Sequence, residues 1–278
     1  MVEPMMTFSK RRLLGISFLF FISLLLWIAN ELVVVSLNPS HFFTGWVLLV
    51  TLLGLTLFNV RKKLPFLPLG SASAWTQFHI YAGFFSVVSF VLHVGWKFPQ
   101  GPIQVVLFAL FVGVTGSGIF GLFLSRTFPA LITTHGENVL FERIPVFRNK
   151  LRAELEASVL DFVDKTNSET VADFYIERLS NFFDRPRNYW HHLLQSTRPL
   201  ISLLHEIEIH QRFVNSKEQE FLDLIKGMVK QKNNLDYQYA LQMTLKGWLF
   251  VHIPMTYSLM IISVLHAFIA YAFYGGVS

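Results

Sequence analysis

The chain contains no cysteine. That excludes disulfides, thiolate-ligated iron–sulfur clusters, zinc–thiolate sites and the C-x-x-C-H attachment of c-type haem. Any haem must therefore be held non-covalently. Charge is scarce as well. Acidic and basic residues make up 15% of the 278, against 53% hydrophobic residues and a mean hydropathy of +0.46. A soluble domain carries about 25% charged residues, so this balance points to an all-α, polytopic membrane protein. The sequence also lacks internal repeats, low-complexity stretches and a Gly-rich dinucleotide fingerprint, so it offers no means of oxidising a nicotinamide cofactor by that route.

What is abundant is apolar, including 29 phenylalanines. Five apolar runs have the length that crosses a bilayer: Leu13–Val35, Phe42–Val60, Ala74–Trp96, Pro102–Leu124 and Leu245–Tyr274. The first is too long for a signal peptide and lacks a small-residue cleavage site, so it reads as a retained span. Asn38-Pro39-Ser40, Pro65 with Pro68 to Ser73, and Pro99 to Pro102 mark the intervening turns. Lys10, Arg11 and Arg12 precede span one, Arg61, Lys62 and Lys63 follow span two, Arg126 follows span four, and Lys246 begins span five. The opposite loops carry only Lys97. The positive-inside rule then expects a cytoplasmic N-terminus and 126–244 segment, and an external C-terminus at Gly275–Ser278. A bacterial inner membrane suits this arrangement.

Residues 126–244 differ in character, with 15 basic and 16 acidic side chains. The net charge of +5 for the whole chain therefore comes from the membrane flanks, where it orients the protein in lipid rather than binding nucleic acid. Amphipathic patterning predicts a helical insert. Helices are expected over Arg148–Lys165, over Ser168–Phe183, and from near Ser196 with Pro199 in the first turn. Ser216-Lys217-Glu218-Gln219 resembles a capping box ahead of a helix to about Lys230. Asn233-Asn234 is expected to break that helix, with Asp236 capping the lead-in to span five. The domain reading is thus 1–125 for spans one to four, 126–244 for the insert and 245–278 for span five.

Two spans each carry two histidines fourteen residues apart: His79 and His93 in span three, His252 and His266 in span five. Fourteen residues is close to four helical turns, so both members of a pair share a face, roughly 21 Å apart along the axis. That places one near each edge of a hydrocarbon core of roughly 30 Å. Spans three and five are separated by a single span and so run parallel, which levels His79 with His252 and His93 with His266. Ionisable groups at membrane depth are rare and usually functional, and neutral imidazole suits haem iron. The faces read His79, Gly83, Ser86, Phe90, His93 and His252, Thr256, Leu259, Ser263, His266. Gly83 would let a porphyrin edge approach the backbone. Gly113, Gly116, Gly118 and Gly121 of span four suit close helix or haem contact. Pro254 should bend span five near His252. Arg126 and Lys246 inside, and Lys97 outside, are candidate partners for haem propionates, or else simple flanking charges that snorkel.

The remaining polar features read more plainly. Asn30 and Glu31 mark the end of span one, with a quinone or proton site as the other reading. His205 and His210 are five apart and do not share a face, which argues against the zinc site their surroundings suggest. His191-His192 reads as a solvated or interfacial helix end, and His135 as a loop residue.

The four histidines and their topology resemble the di-haem transmembrane cytochrome b proteins. The nearest likeness is the ferric reductase/NADPH oxidase-type transmembrane domain, with respiratory di-haem cytochrome b subunits as a second. The likeness covers spans one to five, about 160 residues. It implies two haem b groups, the inner on His79 and His252 and the outer on His93 and His266. The expected role is a membrane subunit of an oxidoreductase complex rather than a complete enzyme, with a quinone or external acceptor at one terminus and a redox partner at the other, for which the insert is the expected docking site. The chain departs from that family in lacking a sixth helix and a flavin and nicotinamide domain, and in carrying the insert. The competing expectation is a non-redox transporter, assembly factor or scaffold whose histidines relay protons or bind a metal.

Overall fold

A computed structural model describes residues 8–36, 39–63, 71–134 and 139–274. The turn at Asn38, the stretch from Pro65 to Gly70, His135 and the C-terminal Gly275–Ser278 lie outside the described residues, as do the side chains of Arg11, Arg61, Lys62 and Lys63. Every described element is helical, and five helices are long and apolar enough to cross a membrane. Helix is the form in which a lone apolar segment satisfies its own backbone polar groups away from water. The chain divides into two compact units, one comprising residues up to 120 and from 250 onward, the other residues 121–249.

The first unit contains α1 (Phe8–Val35), α2 (Ser40–Lys63), α3 (Ala72–Val94), most of α4 (Pro102–Thr134) and the C-terminal part of α10 (Ser216–Tyr274). Ser71 caps α3 by accepting the Ala74 amide, and Gly95 ends it in the left-handed region at φ 64°. Helix α2 packs on α3, as does α1, whose Gly15 lies so close to Tyr81 that a Cβ would fall 2.4 Å from the ring. Leu48, Leu52, Phe111 and Leu259 form a buried cluster, with the Phe90 ring stacked on Phe111 at 3.9 Å. The unit is apolar outside: Phe20, Trp27, Ile261 and Phe268 are exposed, whereas Thr44, Ser86 and Ser89 are buried. These hydroxyls donate to carbonyls of their own helices, at Ser40, Gly83 and Phe85, so their burial leaves no lone donor. Small polar residues inside and large apolar ones outside is the distribution expected of helices packing in lipid. Helix α1 continues past Asn30 and Glu31 to Val35, so these residues do not end the span; Asn30 is buried and Glu31 exposed.

The second unit is the helical insert together with the adjoining ends of α4 and α10. It contains α5 (Ile144–Thr166), α6 (Glu169–Phe174), a π-helical turn (Tyr175–Leu179), α7 (Ser180–Asp184), α8 (Tyr189–Leu193) and α9 (Arg198–Gln211). The single helix expected over Ser168–Phe183 is interrupted by the π-helical turn. Its core gathers Leu155, Leu179, Phe183, Ile207, Ile225 and Val229. A second cluster joins Leu124 and Phe128 to Tyr237 and Leu241. Burial raises the Tyr175 phenol to about 12, helped by the neighbouring Glu156 carboxylate.

Four local expectations are corrected here. The capping box at the start of α10 is Asn215 with Glu218, one residue before Ser216–Gln219. Each receives the other's backbone N–H at 3.0 Å, and asparagine is among the best N-caps. Glu218 also accepts the hydroxyl of Ser168, whose oxygen caps α6, so two helix starts share one knot. Asn233-Asn234 does not break α10, which runs 59 residues without interruption. Asparagine costs a helix interior no more than about 0.7 kcal/mol, and the buried Lys232, Asp236, Tyr237 and Leu241 around that point outweigh it. Asp236 is therefore not a cap but a mid-helix carboxylate paired with Lys232. Finally, His192 is not solvated. It is buried edge-on against Tyr237, and only His191 faces outward.

Of the glycines on α4, Gly121 meets Trp248: a Cβ there would fall 1.8 Å from the indole. Gly121→Val should lower stability by about 1–3 kcal/mol, the usual cost of overpacking. A thermal melt of the full chain in detergent measures it, and an unchanged midpoint would remove the packing role.

Candidate functional site

His93 stands in the last turn of α3, two residues before the left-handed Gly95. Its ring meets the first turns of α2, where Nδ1 lies 3.0 Å from the His41 carbonyl oxygen and 3.4 Å from Thr44 Oγ1. A carbonyl only accepts, so Nδ1 carries the proton and Nε2 holds the free lone pair. The Thr44 hydroxyl donates back to the Ser40 carbonyl, leaving its oxygen to face the ring. Gly45 supplies the room: a Cβ there would lie 3.0 Å from His93 Cε1.

The His266 ring on α10 faces His93 with centroids 6.5 Å apart and planes at 82°. Two imidazoles holding one metal ion at about 2.0–2.1 Å from each nitrogen would set their centroids roughly 6.3 Å apart. Both rings line a cavity of about 840 Å³. That is near the upper end of the range of roughly 300–1,000 Å³ for ligand and cofactor sites. Phe90, Phe111 and Leu259 line it as well, as do Lys97 and Gln104. Trp46 and Tyr271, joined by a 2.7 Å hydrogen bond from the indole N–H, complete the wall.

The other two histidines are each held by a different neighbour. His79 packs against Phe58 of α2 with centroids 4.8 Å apart. His252 has Nδ1 at 3.2 Å from Ser117 Oγ on α4, and a Cβ on Gly118 would lie 3.7 Å from its Cε1. Helix α10 continues through Pro254, and the Thr256 hydroxyl donates to the His252 carbonyl at 2.8 Å. A Cβ built on Gly83 or Gly116 would meet nothing within 4 Å, so both lie beside open space.

The three flanking cations separate. Lys97 lies in the wall of the His93–His266 cavity, past the helix end. Lys246 is engaged within the second unit: its ammonium contacts the Glu142 carboxylate at 2.5 Å and sits 4.0 Å above the Phe141 ring. That contact holds the Glu142 carboxyl below its usual range. Arg126 is exposed on α4. His205 and His210 take separate neighbours, Glu208 and Phe174.

Thr44, Gly45 and Ser117 escaped the sequence reading. The available signal was a hydroxyl–glycine step inside an apolar span, Thr44-Gly45 and Ser117-Gly118. Comparison with known protein families, curated proteins and solved structures finds no match for this chain.

Proposed function

We propose that this chain is the membrane electron-transfer subunit of an oxidoreductase complex, with two b-type haems, one held by His93 and His266 and the other by His79 and His252. The observation that carries the proposal is the facing His93–His266 pair in a cavity of about 840 Å³. Its ligand geometry suits one metal ion, and the fourteen-residue repeat provides a second pair on the same two helices. Bound haem supplies reversible one-electron chemistry, and bis-imidazole ligation leaves no open position for oxygen.

The chain's own residues hold and insulate. The His41 carbonyl keeps His93 in the tautomer that presents Nε2. Phe90, Phe111 and Leu259 exclude water from the cavity wall. Lys97 sets a positive charge beside a site whose ligand carries carboxylates. At the inner tier the open space beside Gly83, one turn from His79, gives a macrocycle room to approach. The basic flanks support a cytoplasmic N-terminus and insert by the positive-inside rule, and a bacterial inner membrane suits that arrangement. The insert docks the redox partner there, and a quinone or external acceptor completes the route.

The test is a reduced-minus-oxidised optical spectrum of the detergent-purified protein, with haem quantified against protein. Two b-type haems per chain are expected. A well-folded, colourless protein would sink the proposal and favour a transporter or scaffold.

A further inference from the structure

Of the hydroxyl–glycine steps in the apolar spans, Thr44-Gly45 and Ser117-Gly118 each set a hydroxyl beside Nδ1 of a histidine, at opposite ends of the bundle. At Thr44-Gly45 the threonine hydroxyl, together with the carbonyl of His41 one turn earlier, meets Nδ1 of His93, and Gly45 admits the ring. At Ser117-Gly118 a hydroxyl meets Nδ1 of His252, and again the adjacent glycine faces Cε1. Each step lies on a helix that supplies no ligand, α2 in one case and α4 in the other. Each acts on one member of a pair, taken from α3 at one tier and from α10 at the other.

We infer that Ser117 is a positioning residue for His252, accepting its Nδ1–H so that Nε2 is turned toward the metal, as α2 does for His93. This rests on the proposed haem ligation. The physical reason is general: a ligating imidazole that donates its other N–H is held in one tautomer and orientation, and its basicity rises. The two steps differ in strength. A backbone carbonyl lies 3.0 Å from Nδ1 of His93 and can only accept, whereas the contact to Nδ1 of His252 is a serine hydroxyl at 3.2 Å, to which the inference assigns the accepting role. The inner lock can therefore be removed by side-chain substitution alone. The glycines differ too: a methyl group at Gly118 makes an ordinary contact at 3.7 Å, while at Gly45 it presses on the ring at 3.0 Å.

The experiment compares wild type, Ser117→Ala, Ser117→Thr, Gly45→Ala and Gly118→Ala as purified full-length protein. The readouts are haem per chain, the rate of haem loss to an excess of apo-globin, and a redox titration followed spectrally. Ser117→Ala should release one haem roughly 10–100-fold faster and move one of the two midpoints while leaving the other in place. Ser117→Thr should restore both. Gly45→Ala should act on the other haem, and Gly118→Ala should do neither. If Ser117→Ala cannot be purified, the Ser117→Thr, Gly45→Ala and Gly118→Ala results decide. A wild-type protein without haem overturns the proposed function and this inference together. A two-haem wild type overturns the inference alone if Ser117→Ala matches it or disturbs both haems equally. So does loss of haem in Ser117→Thr, or a Gly118→Ala effect equal to that of Gly45→Ala.

Discussion

His93→Ala and His266→Ala are each expected to strip one haem from the purified protein, and the double variant should strip no more than either single. The rings face one another at 6.5 Å on two different helices, so on the proposed ligation each variant removes one of two ligands to the same ion. Groups that act as one unit are non-additive, and the second substitution has nothing further to remove. His79→Ala and His252→Ala should form a second such set, and combining one variant from each set should leave no haem. The check is haem per chain by reduced-minus-oxidised spectrum, with size-exclusion profiles establishing that each variant folds. If His93→Ala and His266→Ala removed different haems, the pairing would be wrong. If either left two haems in place, that histidine would not be a ligand.

The largest effect on stability is expected from Asp236→Ala. Lys232 is fully buried in the second unit. Its ammonium donates to the Arg185 carbonyl at 3.0 Å and to the Asp236 carboxylate, and it lies 4.1 Å above the Phe182 ring. Asp236 also accepts the Arg187 backbone N–H at 3.0 Å. Removing the carboxylate leaves a buried ammonium without its counter-ion, which costs about 3–5 kcal/mol. Replacing the pair together, as Lys232→Met with Asp236→Leu, should recover most of that loss, since apolar residues of similar size often substitute for a buried ion pair at no cost. The Arg187 N–H would still lose its acceptor, at about 1 kcal/mol. Thermal melts of the full chain, with protease sensitivity mapped over 126–244, measure both variants. An Asp236→Ala protein that melts with wild type would show that the pair contributes nothing.

The long elements were legible because their signal is local. An apolar run of bilayer length between Asn-Pro, Pro-rich and basic punctuation leaves few alternatives to a helix, and α1 to α4 follow those runs. In the insert the signal was weaker and the errors cluster where tertiary packing prevailed. Two asparagines looked like a stop, yet the buried residues on either side carry α10 through them. His192 looked like half of a solvated pair, but one face of a five-residue helix is turned against Tyr237. The sequence leaves Lys246 as a propionate partner or a simple flanking charge, and only the packing shows that it lies against Glu142 and Phe141.

The same division runs through the site. Two apolar helices that each carry a histidine pair on one face follow from the sequence alone, because hydrophobic length and the 3.6-residue period are properties of a single segment. Which atom each imidazole meets does not. The carbonyl that orients His93 lies 52 residues away, and the hydroxyl beside His252 lies 135 residues away. A backbone carbonyl carries no mark of such a role, and the hydroxyl–glycine step at Ser117 does not say which histidine it will meet. Only the packing of α2 and α4 against the ligand helices brings them within hydrogen-bond reach, because a directional contact of about 3 Å depends on where two helices meet and not on what either one is.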